Sequence, residues 1–272
     1  MKILVSVDIE GVAGVAGPEE TRAGNPEHER ARRLMTAEAS AAVAGALAGG
    51  ATEVLVADAH GDFRNLLPDA LHPAARAVRG KPRTLGMMAG VDTGCAAAFL
   101  VGWHAKARTH GNLAHTINSF AFARVLVNGD EVGEAALYGG LAGECGVPIA
   151  LLTGDDVFVA ETRAWLPDAA AVVVKDALGH RSAASLAPAA ACEAIAAGAR
   201  EAMRRIPALA PLRFPAPLVV GVDATGPALA DLFALLPFVR RVDATAVEFD
   251  AGSMTDAVRV LNALSAMSAA LR

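Results

Sequence analysis

The chain has 272 residues, a formal net charge of −5 and an apolar fraction of 54%, which is typical of a globular protein and excludes a disordered one. Aromatic residues make up only 4% and no basic run stands out, so neither a base-stacking platform nor a polyanion-binding surface is predicted. No apolar run reaches the roughly 20 residues that cross a bilayer. The first strand is predicted to begin at Met1 or Lys2, so we expect no signal peptide before it.

The first part of the chain alternates strands and helices. Its strands are apolar on both faces, which is typical of a parallel sheet covered by helices. The predicted elements are a strand at 2–7, a Gly- and Pro-rich loop at 11–26, a helix at 27–49, and strands at 52–60 and 95–104.

The second part continues this alternation. Asn128-Gly129 between two β-like runs predicts a hairpin over 123–134. The other predicted elements are helices at 134–146 and 187–206 and strands at 147–156 and 170–178.

A proline-rich segment divides the chain. Residues 207–217 contain four prolines and are predicted as a linker. We expect an α/β domain over 1–206, with a mostly parallel sheet flanked by helices. Residues 207–272 are predicted to form a smaller C-terminal α+β subdomain, with oligomerisation as a further role.

The three cysteines, Cys95, Cys145 and Cys192, are far apart in the sequence and form no CxxC pair. A disulfide framework or a thiolate zinc site is therefore not predicted. We expect reduced, mostly buried thiols and a cytoplasmic location.

Three predicted strands end in residues that commonly ligate metals. Asp8 and Glu10 follow the first strand, Asp58 and His60 end the second, and His104 ends the third. The carboxyl ends of parallel strands share one edge of the sheet, and side chains two residues apart on a strand point the same way. Two neighbouring carboxylates would repel each other unless a cation lay between them. The pattern therefore favours a divalent-metal site, and the alternative is that these residues only mark where the chain leaves the core.

Other candidates have an equally simple structural interpretation. Glu134 could be an acid favoured at a helix N-terminus, and His115 could be a proton carrier or a surface residue. Asp58 could orient a ligand histidine or bind local backbone. Lys175 and Arg181 are candidates for binding a substrate carboxylate or an oxyanion, and the alternative for both is surface charge or an internal ion pair.

Five short motifs together carry a resemblance to a known family. In this order, and over nearly the whole chain, they resemble the DppA family of D-aminopeptidases, the M55 metallopeptidases. The motifs are SVDIEG (6–11), ADAHGD (57–62), VGWHA (101–105), AHTIN (114–118) and VGE (132–134).

The resemblance implies a dinuclear zinc centre in the domain over 1–206. His115 matches the essential active-site histidine of the family. Carried over by motif, Asp8 would bridge both ions, Glu10 and His104 would complete one ion, and His60 and Glu134 would complete the other.

The predicted function is that of a dinuclear zinc aminopeptidase. It would remove N-terminal residues, above all D-amino acids such as D-Ala, from short peptides by a metal-activated water assisted by His115. Stabilising the oxyanion and carrying a proton are both open for His115, with direct attack less favoured. The resemblance also implies a homo-oligomer, decameric in the typical member.

Two alternative functions fit the same residues. One is a dinuclear hydrolase of another class, an amidase or a phosphoesterase, and the other is a non-catalytic metal-binding homologue. Manganese or cobalt could replace zinc in a site with this donor set.

Overall fold

Two β-sheets form the framework of the chain in the computed structural model, which describes residues 1–272. The strands are β1 (Lys2–Val7), β2 (Glu53–Asp58), β3 (Ala75–Val78), β4 (Ala97–Trp103), β5 (Phe122–Val127), β6 (Asp130–Glu131), β7 (Ile149–Asp155), β8 (Ala170–Gly179), β9 (Ser182–Ser185), β10 (Leu218–Ala224), β11 (Arg240–Arg241) and β12 (Ala246–Ala251). The helices are α1 (Pro26–Ala48), α2 (Glu134–Glu144), α3 (Asp156–Thr162), α4 (Pro188–Arg205), α5 (Pro227–Phe233) and α6 (Met254–Met267).

The larger sheet has the order β3-β2-β1-β4-β7-β8-β9, and only the β8–β9 pair is antiparallel. β1 alternates between two cores, since Ile3, Val5 and Val7 pack with α1 and α4 while Leu4 belongs to the core that contains α2. A strand buried on both faces needs apolar side chains at every position, which explains its continuous apolar run. The predicted α/β class with a mostly parallel sheet is thus confirmed.

The smaller sheet is antiparallel and has the order β11-β12-β10-β5-β6. Strands β5 and β6 come from the first part of the chain, whereas the others follow the proline-rich linker. The predicted boundary after residue 206 therefore does not separate two sheets, and one continuous core includes residues from both sides of it. An oligomerisation role for 207–272 stays a prediction.

The structure differs from the predicted elements in several short segments. The edge strands β3 and β9 and the short helix α3 are not among the predicted elements. Helix α3 begins directly after β7, where the Asp155 side chain accepts a hydrogen bond from the Phe158 backbone amide and caps the helix.

The cysteines differ in burial. Cys95 is buried but Cys145 is exposed, so the expectation of mostly buried thiols is wrong for Cys145. None of the six α-helices is long and apolar enough to cross a bilayer.

Two glycines bring the ends of β1 and β4 together. The Gly11 amide donates to the Gly102 carbonyl at 2.8 Å, and a Cβ on Gly11 would lie 1.9 Å from the Trp103 carbonyl oxygen. Gly102 has a φ of +66°, and a Cβ there would lie 2.5 Å from the Asp8 carbonyl oxygen. This close approach places the residues after β1 beside those after β4.

Candidate metal centre

The candidate site lies at the carboxyl ends of β1, β2 and β4. These strands are adjacent, and Val7 of β1 is in register with Asp58 of β2 and Val101 of β4. The residues that follow therefore meet at one edge of the sheet, as the strand-end pattern predicts. Glu134 at the start of α2 and His115 in the loop before β5 reach the same place from other directions. The structure thus brings together Asp8, Glu10, His60, His104, His115 and Glu134.

Asp8 occupies the centre of this group. Its Oδ1 lies 3.3 Å from His60 Nδ1, and its Oδ2 lies 3.5 Å from His104 Nε2. Glu10 Oε2 lies 2.9 Å from His60 Nδ1, yet this oxygen is buried and makes no hydrogen bond. The Asp8 carboxylate therefore faces a different histidine with each oxygen, and Glu10 has an unsatisfied acceptor aimed into the group.

His104, His115 and Glu134 form the other side of the site. Glu134 Oε1 lies 3.5 Å from His104 Nε2 and 3.9 Å from His115 Nε2. The two imidazole rings are stacked, with centroids 4.0 Å apart and planes inclined by 10°. His115 has 20% of its side chain exposed and His104 only 1%, so His115 is the more accessible of the stacked pair.

Backbone carbonyls orient the three histidines. His60 Nε2 lies 2.8 Å from the Thr21 carbonyl, His104 Nδ1 lies 2.9 Å from that of Ala105, and His115 Nδ1 lies 2.9 Å from that of Leu113. A ring nitrogen that donates to a carbonyl leaves the opposite nitrogen free of a proton in the neutral ring. Metal-binding histidines commonly have this arrangement.

Burial controls the charge of the site. Burial, together with neighbouring Glu10, raises the pKa of Asp8 to about 6, and burial also raises the pKa of Glu134. Burial and neighbouring His115 lower the pKa of His104, which favours the neutral ring. Burial opposes a charged His60, but Glu10 and Asp8 raise its pKa well above the usual range. The buried carboxylates of this site repel one another unless a positive charge lies between them. That charge can come from a proton on His60 or from a cation.

The donor set fits divalent cations. Asp8, Glu10 and His104 each offer one ligand atom, and these atoms lie within 4.8 Å of one another. His104, His115 and Glu134 form a second such group. Mixed carboxylate and imidazole donors are the ligands of zinc, manganese and cobalt sites, and a cation would satisfy the unpartnered Glu10 oxygen.

The loop that carries His115 has an unusual backbone. Leu113 and Ile117 have φ angles of +53° and +61°, a region that side chains with a Cβ rarely adopt. The loop is held there because the His115 amide donates to the Ala105 carbonyl at 3.1 Å and the Ile117 amide donates to Glu134 Oε1 at 2.5 Å. Such conformations persist where the surrounding structure imposes them, and they concentrate at functional sites.

Asp58 does not orient the His60 ring. Its carboxylate accepts hydrogen bonds from the backbone amides of His60, Asn65 and Leu66 and from the Asn65 side chain. The prediction that Asp58 supports a ligand histidine through its side chain is therefore wrong, and binding of local backbone is what the structure shows. Asp58 instead shapes the turn that follows β2.

Lys175 does not face a substrate. It is 2% exposed, and its Nζ donates to the carbonyls of Glu10 and Val15 and to Asn112 Oδ1 at 2.5 to 2.8 Å. All three ammonium hydrogens are used, so the predicted substrate-binding role is replaced by one in holding the loop after β1. Arg181 is exposed at the β8–β9 turn and does not line the cavity over the metal-ligating group. A substrate-binding role for Arg181 therefore stays a prediction that its position does not support.

We expect Lys175→Met to lower the free energy of unfolding by about 2–4 kcal/mol, because it leaves three buried acceptors without a donor. The matched control is Arg181→Met, which changes an exposed residue and is expected to stay within about 0.5 kcal/mol of the parent. Urea unfolding of both variants measures the difference. Equal stability of the two variants would contradict the structural role of Lys175.

A cavity of about 610 Å³ opens over the metal-ligating group. Asp8, Glu10, His60, His115 and Glu134 line its floor. The remaining walls were not predicted from the sequence, because they come from loops, from α2 and α6, and from the residues that follow α6. Those lining residues with polar side chains are Lys81, Arg83, Asn118, Tyr138, Asn262, Ser265, Ser268 and Arg272.

Comparison with known proteins identifies relatives over almost the whole chain. The sequence model of the peptidase M55 family, described as D-aminopeptidase, matches residues 1–263. A D-aminopeptidase of Bacillus subtilis (strain 168) is 30% identical over 262 residues, which cover 96% of this chain and 95% of that protein. The solved structure of the Zn-dependent D-aminopeptidase DppA from Bacillus subtilis, described as a self-compartmentalizing protease, superposes with a TM-score of 0.95 at 29% identity. This superposition covers 99% of this chain and 98% of the other.

Proposed function

The chain belongs to the peptidase M55 family of D-aminopeptidases, and from this premise we propose that it is a dinuclear zinc aminopeptidase acting on short peptides with an N-terminal D-residue such as D-Ala. The observation that carries the proposal is the convergence of five metal-type ligands and His115 in one group, of which Asp8, Glu10, His60, Glu134 and His115 line the floor of one cavity while His104 lies behind them against Asp8 and Glu134. The Bacillus relative of closely similar structure is described as Zn-dependent, which supports zinc as the metal.

We propose that Asp8 bridges two ions. This assignment is supported by the two Asp8 oxygens, since one faces His60 and the other faces His104. Glu10 and His104 would complete one ion, in line with the grouping of their ligand atoms with Asp8. His60 and Glu134 would complete the other, an assignment that rests on the family resemblance.

Bound zinc would polarise the scissile carbonyl and lower the pKa of a bound water, which supplies a nucleophile near neutral pH. His115 would contribute from the cavity side of the stacked pair, where its Nε2 faces Glu134. From there the ring can donate a hydrogen bond to a developing oxyanion or pass a proton to the leaving amine. Glu134 and the Leu113 carbonyl keep the ring in this orientation.

The test is a substrate panel on the metal-reconstituted protein. D-Ala and L-Ala p-nitroanilides, the corresponding alanyl dipeptides, simple amides and phosphate esters are compared by kcat/KM. We expect the D-alanyl substrates to be hydrolysed fastest and metal analysis to find two zinc ions per chain. A preference for phosphate esters would favour a phosphoesterase, and no turnover with zinc bound would favour a non-catalytic binding protein. One ion per chain would contradict the dinuclear centre.

We also propose that the chain forms a homo-oligomer. Six of the eight exposed large apolar side chains fall in two places, namely Val173, Leu178 and Leu186 around β8 and β9, and Leu235, Phe238 and Val242 between α5 and β12. Exposed apolar groups of this kind commonly mark contacts between proteins. The description of the Bacillus structure as self-compartmentalizing supports the same proposal, and a decameric size stays a prediction.

A further inference from the structure

The charges that line the cavity are divided unevenly. All three lining carboxylates, those of Asp8, Glu10 and Glu134, belong to the metal centre. The charged side chains on the remaining walls are the cations Lys81, Arg83 and Arg272. Once metal ions neutralise the floor, the walls therefore attract an anionic group on the substrate.

Arg83 is the cation that is best prepared to bind such a group. Its Nη1 and Nη2 donate to the carbonyls of Val78 at 3.1 Å and Asp58 at 2.5 Å, and its guanidinium lies 3.8 Å from the centre of the Phe63 ring. These contacts hold the guanidinium in one orientation, so little side-chain freedom is lost when an anion binds.

Arg83 also has no anionic partner within the chain. Its guanidinium forms no ion pair with a carboxylate, and the buried Nε makes no hydrogen bond. The Asp58 carboxylate, at the end of β2, already accepts hydrogen bonds from backbone amides. Burial lowers the pKa of Arg83 to about 10, and the nearby Asp58 carboxylate offsets this only in part. A partly buried cation without a paired anion is unfavourable, and a bound carboxylate would compensate it.

The other two cations are less suitable. Lys81 Nζ is already paired with Asp62 at 2.7 Å. Arg272 is exposed, donates to Asn118 Oδ1 at 3.3 Å and lies over the Phe120 ring at 4.9 Å. Neither residue combines a free charge with a fixed orientation, so Arg83 is the one to which the geometry points.

We propose that Arg83 binds the C-terminal carboxylate of the peptide substrate and so gives the enzyme a preference for short peptides with a free C-terminus. The proposal rests on the proposed aminopeptidase function. The metal centre would hold the N-terminal residue and its carbonyl, and Arg83 would hold the opposite end of the same peptide in the cavity. A longer or capped peptide would have no carboxylate next to Arg83 when its N-terminal residue lies at the metal centre. Arg83 would therefore be a specificity-determining residue.

The first measurement uses the zinc-loaded parent protein and three substrates. These are D-alanyl-D-alanine, its C-terminal amide, and D-alanyl-D-isoglutamine, in which the C-terminal carboxyl is an amide and only the side-chain carboxylate is free. We expect the free dipeptide to be preferred over its amide by about 10- to 100-fold in kcat/KM, the range expected for a hydrogen-bonded charge pair. If the amide with the glutamate side chain is cleaved as efficiently as the free dipeptide, any nearby carboxylate suffices. That result would overturn recognition of the C-terminus.

The second measurement repeats the comparison in Arg83→Gln and in the matched control Arg79→Gln. Arg79 is an exposed arginine of the same segment that donates to the Arg64 carbonyl and does not line the cavity. We expect the acid-to-amide ratio of kcat/KM to fall close to one in Arg83→Gln and to keep its parental value in Arg79→Gln. The acid-to-amide ratio is independent of the active fraction, so partial misfolding does not imitate the result.

Arg83 also supports the backbone at Asp58 and Val78, so Arg83→Lys is prepared in case the glutamine variant does not fold. The lysine variant keeps the positive charge but loses the planar guanidinium with its paired donors. Its acid-to-amide ratio of kcat/KM should therefore be lower than that of the parent and higher than one. An unchanged ratio in either variant, or a parent that cleaves acid and amide equally, would overturn the proposal while leaving the aminopeptidase function intact. Failure of the parent to cleave any of the three substrates would overturn the proposed function as well.

Discussion

Replacing Asp8 with alanine is expected to remove both metal ions from the chain and to abolish turnover. The reason is that its two carboxylate oxygens face His60 and His104 separately, so one side chain serves both halves of the proposed centre. Without it, His60 and Glu134 on one side and Glu10 and His104 on the other retain only two ligands each, fewer than zinc normally takes from a protein. Metal analysis after dialysis against a metal buffer measures the loss.

The control for this variant is Asp62→Ala, which removes an exposed carboxylate in the loop after β2 and should leave the metal content at its parental value. Loss of one ion from Asp8→Ala, with the other retained, would show that Asp8 serves a single ion. Thermal unfolding of metal-loaded and metal-free samples gives an independent readout. The parent should gain thermal stability from zinc because the metal binds the folded state, whereas Asp8→Ala should gain little.

His115→Ala is expected to keep both ions and to lower kcat by roughly 10²- to 10⁴-fold, the usual contribution of a residue that transfers or donates a proton. The basis is its position, since it stacks on His104 and lines the cavity while five other side chains supply the proposed metal ligands. Single-turnover kinetics on a D-alanyl substrate, together with metal analysis of the same sample, separates chemistry from metal binding.

The matched control is His110→Ala, an exposed histidine of the same long connection between β4 and β5. It should turn over at the parental rate. A fall in metal content in His115→Ala would instead identify His115 as a ligand, an outcome that its grouping with His104 and Glu134 allows. Full activity of the variant would remove His115 from the mechanism altogether.

Parts of this site follow from local sequence patterns. Asp8 and Glu10 face the same way because a strand has a period of two, and His60 and His104 join them because parallel strands end at one edge. These relations involve only the few residues around each strand end. The sequence could therefore predict the metal-type cluster even without a family resemblance, and the resemblance added Glu134 and His115.

Other assignments depended on contacts between distant segments. Lys175 was a reasonable candidate for a substrate contact, but its strand lies beneath the loop after β1, and its ammonium is used to hold that loop. Arg83 has no motif around it and lines the cavity only because the turn after β2 and the segment after β3 pack together. The second sheet likewise pairs β5 with β10, which are about 90 residues apart, so no local pattern could show that the proposed boundary divides its strands.

The sequence by itself thus determined the alternating α/β architecture and the residue types at the strand ends, because periodicity and capping act over a few neighbouring residues. Only the tertiary structure decided which of these residues meet, how the 113–117 loop stacks His115 on His104, and which cation lines the cavity. The physical reason is that each of these contacts joins segments whose proximity is set by strand order and packing of the whole chain, and no single segment encodes it.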